Sequence, residues 1–152
     1  MNSSSTPALP TRPALAPFLH RVCWEDIDKG YLADLARRCR QEDLEGSGLS
    51  RPPSATGDRT TEALGLDGMG EAILVARASM VICGMDIISI LLDEFGGDAA
   101  CEINRQDGES VESGSKLGKI HGNKATILAA ERSVLNILQR LSGIATMTKR
   151  FV

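Results

Sequence analysis

At 152 residues, with 42% hydrophobic and 24% charged residues and a net charge of −3, the chain is long enough to bury one real core and is composed like a globular domain. It has no apolar run of the ~18 residues a membrane span needs. It also has no basic cluster interleaved with aromatics, which argues against nucleic acid as a partner.

Residues 1–17 are rich in Pro, Ser and Ala and read as a disordered arm. No basic region precedes an apolar block there, so the segment is not a secretory signal and a cytoplasmic location is the default. From Trp24 to about Arg40, apolar Ile27, Tyr31, Leu32, Leu35 and Ala36 recur at helical spacing. The Gly/Pro/Ser-rich stretch 46–58 reads as a loop. Asp58 or Thr60 is placed to cap a short helical turn, with Glu62 early in it. Residues 71–78 and 80–84 read as two strands. Gly84 ends the second, Asp86 starts a helix through Phe95, and Gly96-Gly97 stops it. Residues 99–104 form a weak strand. Four glycines punctuate 105–123, which predicts hairpin turns between short strands, 116–120 the clearest, with His121 as a turn residue. A long helix begins near Ala125. Without a regular βαβα rhythm, the pattern is that of an α+β layer domain.

Cys23, Cys39, Cys83 and Cys101 show no C-x-x-C spacing, and His20 and His121 do not complete a zinc set. Four reduced structural thiols are expected. Charge is uneven. From Lys119 onward six Lys/Arg face one acid, Glu131, so this tail is +5 and residues 1–118 carry −8 of the total −3. On the long helix, Ile127, Leu128, Val134, Leu135, Leu138 and Leu141 form an apolar stripe. Arg132, Asn136, Gln139 and Gly143 form a second line, and Gly143 either ends the helix or admits a close backbone. Arg132 reads either as a solvated or ion-paired surface residue, or as a clamp for a carboxylate or phosphate, because guanidinium is a planar, permanently charged fork. Arg77 reads as half of a structural ion pair. Ser142 and Thr146 read as capping or packing hydroxyls, and Lys149 and Arg150 as a solvated face.

The segment LNILQRLSGIAT (135–146), preceded by Glu131-Arg132-Ser133, resembles the Glu-Arg-Thr/Ser, Leu-Asn, Gln-x-Leu-Ser-Gly-Ile-Ala-Thr signature of the quinolinate phosphoribosyltransferases, the carboxylating nicotinate-nucleotide pyrophosphorylases. Supporting likenesses lie upstream: QEDLE (41–45), GDRTTEAL (57–64), VARASMVICG (75–84), DGESVESGSKLGKIHG (107–122) and ATILAAER (125–132). Together they cover roughly residues 22–152. The resemblance implies an N-terminal α/β sandwich over residues 21–124, here interrupted by a surface loop at 46–57. It is preceded by the arm 1–20 and followed by a helix over 125–152 that would lead into an α/β barrel. It implies an enzyme joining quinolinate to phosphoribosyl pyrophosphate, with nicotinate mononucleotide, pyrophosphate and carbon dioxide as products. It also implies a homodimer or higher homo-oligomer with its site at the subunit interface, and magnesium arriving with phosphoribosyl pyrophosphate in the full-length family. No cofactor is assigned to this chain itself. Arg132 is the one residue the resemblance assigns to substrate, gripping a quinolinate carboxylate in a neighbouring subunit.

Two departures stand out. The loop 46–56 separates elements that are nearly contiguous in the family, and the barrel with its lysines, histidine and metal-binding acids is missing from the sequence. Three readings follow: the N-terminal part of such an enzyme, inactive alone; a non-catalytic dimerisation or binding module; or a pyrophosphorylase-like relative of the kind found with molybdate transport.

Overall fold

The computed structural model describes residues 22–151 apart from 52, 59, 60, 62 and 64. The arm with His20, and the expectations for Thr60 and Glu62, lie outside these residues. A 3₁₀ turn, Trp24–Asp26, precedes helix α1, Lys29–Glu45. Strands β1, Met69–Val75, and β2, Met80–Val81, lead to helix α2, Ile87–Glu94. Strands β3, Ala99–Ile103, β4, Ser110–Val111, and β5, Lys116–Asn123, precede the long helix α3, Lys124–Lys149. The strands form an antiparallel sheet of order β1-β5-β3 and a separate β2-β4 pair. α1 packs on α2 and α3, α2 packs also on β3, and α3 lies across β1, β2 and β5. Leu74, Leu117 and Ile120 of the sheet meet Ile88, Leu91, Leu92, Ala130 and Val134 in one aliphatic core.

Several boundaries differ from the sequence reading, each for a local reason. The first helix starts five residues late, because the Asp28 carboxylate accepts the N–H of Gly30 at 2.7 Å and of Tyr31 at 3.4 Å. It runs on to Glu45 and stops where Gly46 turns left-handed at φ 69°. Its buried face is Leu32 and Ala36, while Tyr31 and Leu35 are exposed. The strand expected at 80–84 pairs only over Met80 and Val81. Ile82 gives its N–H to Glu109 O at 2.9 Å, and the Cys83 N–H goes to a side chain of α3. Asp86 does sit at the N-cap of α2 but makes no capping bond. Asp107, in the loop before β4, instead holds the lead-in to the helix, accepting from Gly84 N at 2.6 Å and Met85 N at 2.9 Å.

The glycine-rich segment 105–123 is not a self-paired hairpin. β4 pairs with β2, and β5 runs to Asn123 as the central strand of the sheet. His121 is therefore a strand residue opposite Glu71 and Ala100, not a turn residue. It shares the sheet's outer face with a charge ladder in which Lys119 reaches Glu71 at 3.2 Å and Glu102 at 3.7 Å. The Glu71 hydrogen bond, with the charge of Glu102, raises the Lys119 ammonium pKa.

The long helix departs from its predicted pattern twice. It continues unbroken through Gly143, and a side chain there would meet nothing within 4 Å among the described residues. Its buried stripe is Thr126, Ile127, Ala130, Ser133, Val134, Leu138 and Ser142, so Leu128 and Leu141 of the expected stripe are exposed. Small and hydroxyl residues hold the inner positions because the helix lies close against strands and main chain. Gly84 shows how close: a Cβ there would stand 2.8 Å from Leu141 Cδ1.

Candidate functional site

Arg132 is exposed on the outer side of α3, in a cleft of about 640 Å³. Leu128, Glu131, Leu135, Asn136 and Gln139 of the same helix form one wall with it. Asp43 and Leu44 at the end of α1, with Gly57, Asp58 and Thr61, form the other. The polar line of Arg132, Asn136 and Gln139 expected from helical spacing thus faces a single concavity.

Chain-local chemistry builds the second wall. Gly46 ends α1 in a conformation that places Pro53 against it, and a Cβ at position 46 would stand 2.4 Å from Pro53 Cδ. The loop returns so that Gly57 N–H reaches Leu44 O at 2.7 Å. That closure delivers Asp58, which caps the following turn by accepting from Thr61 N at 3.1 Å and from the Thr61 hydroxyl. Asp58 and Thr61 therefore serve as turn and cap, while also lining the cleft.

The two walls are fastened beside the arginine. Ser133, only 4% exposed, donates its hydroxyl to Asp43 Oδ2 at 2.7 Å. The sequence reading did not single out either residue. The available signals were a serine at a buried position of the helix, and Asp43 inside the QEDLE segment. Among the described residues Arg132 makes no ion pair, although three carboxylates (Asp43, Asp58 and Glu131) line the same cleft. The cleft's own balance is therefore −2. It presents an uncommitted guanidinium but cannot by itself neutralise a dianion.

The remaining candidates lie elsewhere. Ser142, 2% exposed, accepts from Cys83 N at 3.1 Å and donates to Cys83 O at 3.3 Å. Thr146 Oγ1 accepts from Val81 N at 2.9 Å and donates to Ser142 O at 2.7 Å. Both are packing hydroxyls, as expected. Arg77 is exposed in the bend after β1 and makes no ion pair among the described residues, against the expectation. Lys149 is exposed but donates to Ser110 Oγ, and Arg150 is exposed. Among the described residues there is no disulfide and no group of three or more His, Cys, Asp or Glu that could hold a metal.

Burial raises the thiol pKa of Cys39, Cys83 and Cys101, helped respectively by Glu42 and Asp43, by Asp107, and by Glu102. A raised pKa leaves less thiolate at neutral pH. All three are therefore expected to alkylate more slowly with iodoacetamide than a small free thiol at pH 7.5, and to catch up only as the pH rises beyond the ordinary thiol range. Mass spectrometry of the labelled sites against time would check this, and rapid neutral-pH labelling would contradict it.

An α+β layer domain with a helix-borne arginine in a cleft is the arrangement to set beside known proteins, and the match is to the N-terminal domain of a phosphoribosyltransferase. The sequence profile described as "Quinolinate phosphoribosyl transferase, N-terminal domain" matches residues 58–142. The chain belongs to that family. It is 38% identical over 102 residues to the quinolinate phosphoribosyltransferase [decarboxylating] 2b of Nicotiana tabacum, covering 66% of this chain and 29% of the relative. It is 38% identical over 100 residues to the probable nicotinate-nucleotide pyrophosphorylase [carboxylating] of Bacillus subtilis, covering 64% of this chain and 34% of that protein. The solved nicotinate-nucleotide pyrophosphorylase of Francisella tularensis superposes with a TM-score of 0.71 at 28% identity, over 82% of this chain and 40% of that one. The chain thus spans about a third of the length of the curated relatives it matches.

Proposed function

We propose that this chain is the N-terminal portion of an enzyme that joins quinolinate to phosphoribosyl pyrophosphate, releasing pyrophosphate and carbon dioxide and leaving nicotinate mononucleotide for NAD biosynthesis. The observation that carries this reading is Arg132. It stands exposed and without an ion pair in a walled cleft, on the helix that carries the family's most specific segment. A guanidinium in that state can grip one carboxylate of a pyridine dicarboxylate through two oxygens. It would fix the ring's orientation and offset part of its charge. Asn136, one turn along, can donate a further hydrogen bond.

The excess of carboxylates in the cleft favours a composite site, in which the other cations come from a barrel of the same enzyme in a homodimer or larger homo-oligomer. The magnesium that accompanies phosphoribosyl pyrophosphate in the full-length family has no ligand set among the described residues. No described helix is long and apolar enough to cross a membrane, and a cytoplasmic location suits the thiol chemistry.

The experiment is a reconstitution. The chain is mixed with the C-terminal portion of a carboxylating relative, and nicotinate mononucleotide is measured from quinolinate and phosphoribosyl pyrophosphate. Turnover by the mixture and none by the chain alone is expected. A folded mixture that accepts another base but not quinolinate would favour the molybdate-associated relative. A mixture that never turns over would favour a non-catalytic module.

A further inference from the structure

Arg132 shares its cleft with Asp43, Asp58 and Glu131, yet among the described residues it forms an ion pair with none of them. Opposite unit charges 4 Å apart near a protein surface attract by about 4 kcal/mol before desolvation and side-chain entropy are subtracted. An exposed, flexible guanidinium would ordinarily settle on one of three such neighbours. The acids of the opposite wall are already engaged. Asp58 accepts the Thr61 N–H at 3.1 Å and the Thr61 hydroxyl. Asp43 accepts the Ser133 hydroxyl at 2.7 Å. Both hydroxyl donors are buried, so water competes little for either. Glu131 precedes Arg132 on α3, and adjacent helix residues do not face each other.

The Asp43 bond is the one that crosses between elements. Asp43 lies in the last turn of α1, where the helix dipole opposes a carboxylate and no basic residue offsets it. A half-buried acid there needs a donor. Two candidates follow one another on α3, the guanidinium of Arg132 and the hydroxyl of Ser133. The hydroxyl holds the acid, and the guanidinium is left exposed.

We propose that Ser133 is a positioning residue for Arg132: its hydroxyl holds Asp43 off the guanidinium and keeps that group available for an anionic substrate. The inference rests on the reading of Arg132 as a carboxylate clamp, and adds that the clamp is kept open by the next residue in the chain. Without the hydroxyl, Asp43 has an unmet oxygen beside the one cation that lines the cleft among the described residues. A guanidinium that spends about nine-tenths of its time on Asp43 would bind substrate about ten-fold more weakly, because apparent affinity scales with the competent fraction. The rate at saturating substrate would barely change, since a bound substrate has already displaced the acid.

The test begins with NMR of the isotope-labelled 152-residue chain, in which Arg132→Lys identifies the Arg132 Nε–H signal by its loss. In the parent this proton should exchange with water as fast as that of any exposed arginine. In Ser133→Ala it should exchange about ten-fold more slowly, as the ion pair to Asp43 forms. In Ser133→Ala/Asp43→Asn the fast rate should return. Circular dichroism checks that each variant is folded, and Ser133→Cys, close in shape but a weak donor, gives the same comparison should alanine unfold the domain. In the reconstituted enzyme, Ser133→Ala should raise KM for quinolinate about ten-fold with kcat within about two-fold of the parent, and the double variant should recover most of the KM. A hydroxyl that only props α1 against α3 would lower kcat as well, and the double variant would be no better than the single. Either of those results overturns the proposal, as does unchanged exchange in Ser133→Ala. The exchange measurement needs no turnover, so the two readings fail separately. Slow exchange that Asp43→Asn reverses, in a chain whose mixtures never turn over, supports the hold of Ser133 on Asp43 and removes the enzyme reading alone.

Discussion

Gly122→Ala is expected to lower stability by roughly 3 kcal/mol or more, combining overpacking with a strained backbone, and to lower the melting temperature by roughly 10 °C. Gly122 lies near the end of the central strand β5 at φ 145°, a region that non-glycine residues rarely enter. A Cβ built there stands 2.4 Å from both Ala99 Cα and Asp98 O, which are main-chain atoms of the neighbouring strand and its lead-in. Neither can rotate away as a side-chain tip would. Asp98 O also receives the Asn123 N–H at 2.9 Å, so moving it disturbs the start of α3. The informative control is Gly143→Ala. That glycine is in mid-helix with open space around it, so alanine there should gain about 1 kcal/mol through helix propensity. The same substitution is thus expected to act with opposite signs at two sites about twenty residues apart. Thermal unfolding of dilute samples followed by circular dichroism compares them. A Gly122→Ala protein as stable as the parent would contradict so close an approach of β3 and β5.

The second large effect is on function. In the reconstituted enzyme, Arg132→Ala should reduce kcat/KM for quinolinate about 100-fold, equivalent to about 2.7 kcal/mol of transition-state binding. Arg132→Lys should recover only part of this, because an ammonium keeps the charge but not the planar two-pronged grip. Stability should barely change, since the side chain is exposed and holds nothing together in this domain. That separation matters. A loss of activity accompanied by unfolding would point to a structural arginine, whereas unchanged quinolinate use in a folded variant would remove the clamp from the mechanism.

The sequence made some of this legible. Helix spacing put Arg132, Asn136 and Gln139 on one line, and they do line one cleft. The Gly96-Gly97 stop after α2 was readable because those residues sit at φ 153° and 76°. Other features were hidden because their causes are non-local. The real buried stripe of α3 uses Ala130, Ser133 and Ser142, whose inward positions follow from close neighbours rather than from hydrophobicity. The fate of the 105–123 segment depended on which strands lay beside it in space, so turn glycines alone suggested a hairpin that does not form. Asp43 lay past the expected end of the first helix, within the QEDLE likeness, and only its distance to Ser133, ninety residues away, gives it a role in the site.

The bonds of Ser142 and Thr146 to Cys83 and Val81 have a bearing on how this chain can vary. Both hydroxyls are held by main-chain groups, so the attachment of α3 is indifferent to which side chains occupy positions 81 and 83. Almost any residue offers the required N–H, and only proline withholds it. The helix that carries the arginine is thus moored to a part of the fold that mutation rarely alters. Proline apart, substitutions at 81 and 83 leave these two bonds in place, whereas loss of either hydroxyl on the helix removes one.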